Sequence, residues 1–87
     1  MITEHAVCAL PPDHRSWRHL VIRVERIDAT EEWRVRWGAE YLTSGADWSP
    51  DARDAEQFTE QDALDVAEVM SRHVDVDGLT AADLLNR

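Results

Sequence analysis

A small α+β fold is predicted by three features of this 87-residue chain. Apolar and charged residues alternate through positions 17–42, the period of strands buried on one side. Small and apolar residues recur at helical spacing through positions 59–74. Two Thr-x-x-Asp sequences, at Thr59 and Thr80, each begin a helical pattern. The predicted architecture is a small antiparallel sheet with a β-hairpin core, one helix packed across its Trp-rich face, and a short C-terminal helix.

Residues 1–16 are expected to form an irregular N-terminal segment, and residues 17–87 a single α+β domain. Pro11 and Pro12 break any regular element, and residues 4–10 read as a tail in preference to an edge strand. The first strand is expected over Trp17–Ile27, with Leu20, Ile22 and Val24 on one face and Val21, Arg23, Glu25 and Ile27 on the other. Residues 28–31 are polar and of hairpin length. The second strand is expected over Trp33–Leu42. It places Trp33, Val35, Trp37, Ala39 and Tyr41 inward and Arg34, Arg36 and Glu40 outward, with Gly38 marking a bulge or a close backbone approach.

A loop centred on Ser44 and Gly45 comes next, from which Trp48 folds back onto the core. Ser49 and Pro50 suit the cap and first position of a short helical turn. The main helix starts after Thr59 and ends near His73. Ala63, Leu64, Ala67, Met70, Ser71 and Val74 form its inner stripe, and Phe58 is placed to staple onto Ala63. Asp75–Gly78 reads as a turn closing that helix. A two-stranded sheet is weak alone, so a third strand (from residues 4–10 or 73–77) or a homodimer through a sheet edge is required.

Composition narrows the function classes. The formal net charge is −9, carried by 18 acids against nine arginines and no lysine. That balance opposes general binding to nucleic acid phosphates or to anionic membrane surfaces, which both draw on cationic side chains. No apolar run approaches the ~20 residues of a membrane span. The single cysteine, Cys8, permits no internal disulfide and fits a cytoplasmic location. Three glycines, with no Gly-x-Ser-x-Gly elbow and no phosphate-cradling loop, give no reaction-defining motif. The expected protein is therefore non-enzymatic and needs no cofactor.

Two metal patterns are incomplete. His5, Cys8, His14 and His19 are zinc-type ligands, but at no standard spacing. Asp75-Val76-Asp77-Gly78 resembles the middle of a calcium loop, yet His73 and Leu84 occupy positions where acids are needed.

Charge asymmetry supplies the functional candidates. Residues 1–44 sum to −1 and residues 45–87 to −8. The run from Asp47 to Glu68 holds eight carboxylates against Arg53 alone. Asp51, Asp54, Glu56, Asp62, Asp65 and Glu68 are the candidate residues for binding a basic protein surface. The alternative is a nucleic-acid-binding hairpin using Arg23, Arg34 and Arg36, with Trp17 and Trp37 as stacking faces. Interleaved Glu25, Glu31, Glu32 and Glu40 favour cross-strand Arg–Glu pairing instead.

The segment Glu32-Trp33-Arg34-Val35-Arg36-Trp37-Gly38, then Leu42, Gly45 and Trp48, then Phe58-Thr59-Glu60-Gln61-Asp62-Ala63-Leu64, resembles small uncharacterised accessory proteins of actinobacteria and their phages. The shared pattern is a Trp-x-Val strand, a Gly-x-x-Trp loop and a Phe-Thr-x-x-x-Ala-Leu helix start, over roughly residues 32–67. The resemblance implies an intracellular accessory or phage-encoded protein. By class analogy, an acidic inhibitor of a host nucleic-acid-handling protein is the expected role.

Overall fold

The computed structural model describes residues 3–86. Within them, seven strands and three α-helices occur in chain order: β1 (Glu4–Val7), α1 (Trp17–Leu20), β2 (Ile22–Arg26), β3 (Trp33–Trp37), β4 (Glu40–Leu42), β5 (Trp48–Ser49), α2 (Glu60–Met70), β6 (Asp75–Val76), β7 (Leu79–Thr80) and α3 (Ala81–Leu85). Strands β1–β5 form an antiparallel sheet in sequential order, and β6 and β7 form a separate ribbon. The predicted α+β architecture is thus present, with more strands than the alternation suggested.

One sheet face carries the core. Ile22, Val24, Trp33, Val35 and Leu42 are buried there, packed with Ala63 and Ala67 of α2. Both alanines are fully buried. Their small side chains let the helix backbone lie close to the sheet, where a longer residue would overpack. Thr59 caps α2 by accepting the Asp62 N–H at 3.2 Å. Trp33 and Phe58 exchange two backbone hydrogen bonds of 2.8 Å, tying the segment before α2 to the start of β3.

Several elements differ from the sequence expectation. Residues 4–7, read as tail, are the edge strand β1 paired with β2. The alternating pattern Glu-His-Ala-Val was too short to stand out beside a proline pair. Residues 17–20 are one turn of helix rather than strand, and Val21 is buried at its junction with β2. The second predicted strand is two. Gly38 and Ala39 form a two-residue hairpin turn, with Gly38 at φ +59°, the placement a type II′ turn asks of its glycine. That turn reverses the side-chain parity of β4. Glu40 pairs with Trp37 and Tyr41 with Arg36, so Tyr41 lies on the Arg-bearing face and Leu42 enters the core.

Another difference is at the C-terminal end. Helix α2 stops at Met70, three residues before His73. Asp77 and Gly78 (φ +53° and +78°) then make the tight turn between β6 and β7, the left-handed pair that a type I′ hairpin requires. Thr80 and Asp83 form a reciprocal capping box for α3. Upstream, Asp51 caps a 3₁₀ turn at Ala52–Asp54, where Ser49 was expected. Trp48 does return to the core and meets Trp37 with ring centroids 5.5 Å apart.

Candidate functional site

The six candidate carboxylates occupy three places. Asp62, Asp65 and Glu68 recur every three residues on α2, with Asp62 and Asp65 near its start and middle and Glu68 in its last turn. All three are exposed. At ~100° per residue they span about 120° of the helix, opposite Ala63 and Ala67. Gln61 donates to Asp65 at 2.9 Å, and Arg72 pairs with Glu68 at 3.1 Å. This helix face therefore carries three carboxylates and one guanidinium.

Asp51 and Asp54 sit apart from α2, on the 3₁₀ turn. Asp51 receives hydrogen bonds from the Arg53 side chain (2.8 Å from Nη2) and from the Arg53 N–H (2.9 Å). Those bonds, the side chain's first, hold the Asp51 carboxyl below the usual carboxylate range. The same contact holds Arg53 above its ordinary value. Asp54 accepts from the Ser49 hydroxyl at 2.7 Å. These two acids have local structural partners.

Glu56 is half-buried, and its N–H donates to the Leu42 carbonyl at 2.9 Å. Glu56 also lines a groove together with buried Leu42, half-buried Phe58, Val66 and Met70, and exposed Ser44. Asp62, Val66 and Met70 lie on one row of α2, four residues apart. The groove and the acidic helix face are therefore adjacent. Glu60, counted in the acidic run, turns the other way and accepts from His5 Nε2 of β1 at 2.8 Å.

The sequence reading missed this groove, although Val66 and Val69 gave a signal. They extend the apolar surface of α2 beyond the Ala63–Ala67 stripe, and Val69 is 54 % exposed. Val69 adjoins Val66 and Met70, which line the groove, so the three together make a continuous apolar strip on α2.

The alternative candidates, Arg23, Arg34 and Arg36, do share one face, opposite the core. Arg34 and Arg36 converge on Glu25 at 2.8 and 3.3 Å, and Glu25 is only 17 % exposed. Arg34 also lies over Tyr41, 4.8 Å from the ring centroid. Arg23 lies 5.7 Å from the Trp17 centroid and 3.6 Å from Glu4. Trp37, offered as a stacking face, is on the core side, where its Nε1 donates to the His19 carbonyl at 2.9 Å.

The zinc-type residues are held separately. His5 engages Glu60 and lies 5.4 Å from the Trp33 ring. Cys8 accepts from the Leu10 N–H at 3.4 Å, and burial pushes its thiol above the ordinary value despite that bond. His14 Nδ1 accepts from the Ser16 N–H at 3.0 Å. Among the described residues, no three His, Cys, Asp or Glu side chains gather as a metal-ligand group. The calcium-like residues 75–78 are consumed by the β6–β7 hairpin. No helix among the described residues is long and apolar enough to cross a membrane.

Fold and surface together define a small α+β protein with an acidic helix face beside an apolar groove. No protein-family model matches the chain, and no curated protein or solved structure is significantly similar to it.

Proposed function

We propose that this chain is a non-enzymatic protein-binding module that engages a basic protein surface through α2 and its flank. The supporting observation is the alignment of Asp62, Asp65 and Glu68 on one exposed helix face, next to the groove bordered by Glu56. Such a surface complements an Arg- or Lys-lined partner and speeds encounter at low salt. Asp51 and Asp54 extend the negative field but contribute less, because Arg53 and Ser49 already engage them. A phage or mobile-element accessory protein acting in the cytoplasm on a host nucleic-acid-handling protein is the biological setting that fits. A nucleic acid channel supplies the cationic surface this face needs.

The test is affinity capture from host lysate with the wild-type chain and an Asp62→Lys/Asp65→Lys/Glu68→Lys variant. The expected result is a partner retained by wild type in low salt, released by 1 M salt, and not captured by the variant. A partner held equally by both proteins, or unaffected by 1 M salt, overturns the proposal.

A further inference from the structure

The groove beside α2 has a volume of about 190 Å³. Small-molecule sites usually enclose ~300–1,000 Å³, so this space suits a single side chain better than a cofactor. Its lining is mainly apolar: Leu42, Phe58, Val66 and Met70, with Ser44 exposed at one side. Glu56 is the one acidic residue in its lining. Asp62 lies one helical turn from Val66, about 6 Å along the axis. Val69, beside Val66 and Met70 on α2, continues the apolar surface outward.

We infer that the groove between α2 and the 43–46 turn receives one aliphatic side chain from a basic segment of the partner protein, whose flanking Arg or Lys residues meet Glu56 and Asp62. This rests on the protein-binding reading above and adds its recognition rule. Charge complementarity selects the occupant, because a neutral or acidic segment would bring no countercharge to Glu56 and Asp62. A side chain desolvated in a central pocket adds binding energy that rim charges, which act mainly on encounter, do not. The spacing of Asp62, Val66 and Met70 matches a partner helix with a Leu or Met and an Arg four residues away.

Two synthetic helical peptides of equal net positive charge test the inference. One carries a central Leu flanked by Arg at four-residue spacing, and the other has Ser in place of that Leu. Affinities are measured calorimetrically at low salt, with amide shift mapping on the wild-type chain. The expected result is about tenfold tighter binding of the Leu peptide, with shifts at Leu42, Val66 and Met70. Ser44→Trp fills the groove from an exposed loop position and should abolish the Leu preference while leaving charge-driven binding in place. Val66→Ser provides a second variant with the same expected loss. Equal affinity of the two peptides for wild type overturns the groove inference and leaves the acidic-surface reading standing. So does a Leu preference that survives both variants. Failure of both peptides to bind at low salt overturns the acidic-surface reading, and this inference with it.

Discussion

The outer face of α2 and the helix-distal face of the sheet both carry clustered charge, yet they handle it differently. On the sheet, Arg23, Arg34 and Arg36 meet two glutamates, and each guanidinium has a carboxylate within 4 Å. Tyr41 and Trp17 lie beneath two of them. On α2, three carboxylates meet a single arginine, and the neighbouring surface is apolar. The sheet face is internally compensated, a structural use of charge in cross-strand pairs. The helix face is left with an excess of exposed carboxylates. Counting charges along the chain did not separate these cases; their partners did.

The largest expected effect comes from separating the two faces. Trp33→Ala removes the large ring that sits between β3, His5 and the segment leading to α2, and should cost about 3–5 kcal/mol in a denaturant unfolding curve. A loss under about 1 kcal/mol, the ordinary size of a point-mutant effect, would mean that the helix does not depend on the tryptophan-lined sheet.

Glu25→Gln sharpens the comparison from the sheet side. It removes the half-buried anion shared by Arg34 and Arg36, and should cost about 1–2 kcal/mol. It should also raise low-salt affinity for a single-stranded oligonucleotide, measured by gel shift, by releasing two guanidiniums. Tight oligonucleotide binding by wild type itself would show that Glu25 does not neutralise the face.

On the helix side, Thr59→Ala removes the cap of α2 and should cost about 1 kcal/mol, read from the same unfolding curves. The effect should be confined to α2 and visible as faster amide exchange in its first turn.

The smallest effect concerns Asp51. Its carboxyl is lowered in the folded chain, so its contribution to stability is present above the ordinary carboxylate range. That contribution is lost as pH falls through the folded value. Arg53→Ala should raise the Asp51 titration midpoint, followed by NMR, toward the ordinary carboxylate range but not fully to it, because the N–H of residue 53 still donates to the carboxylate. The side chains are solvent-screened, so thermal stability at neutral pH should scarcely change.

The strongest periodicities were legible in the sequence. The Ile22–Val24 and Trp33–Val35 alternation placed two central strands, and the Thr59 and Thr80 caps placed two helix starts. Parity was not legible beyond Gly38. A single glycine in an alternating run reads equally as a bulge or a turn, and the choice reverses the faces of Tyr41 and Leu42. β1 was legible only as an alternative, one of two sources for the third strand: four residues carry too little pattern to outweigh the proline pair behind them. The candidate acids were found as a run in sequence, but only tertiary structure distinguishes Asp62, Asp65 and Glu68 from Glu60, which returns to β1. The groove combines Leu42, Phe58 and Val66 from three separate segments, so Val66 gave the α2 side of its lining and no local pattern gave the rest.

The central claim is that the helix face, not the sheet face, is the one that docks. Amide shift mapping with an Arg-rich helical peptide at low salt tests it most directly. The account predicts perturbations concentrated in residues 61–70 and 42–46, with residues 22–26 and 33–37 unchanged. Perturbations centred on Arg23, Arg34 and Arg36 instead would contradict it.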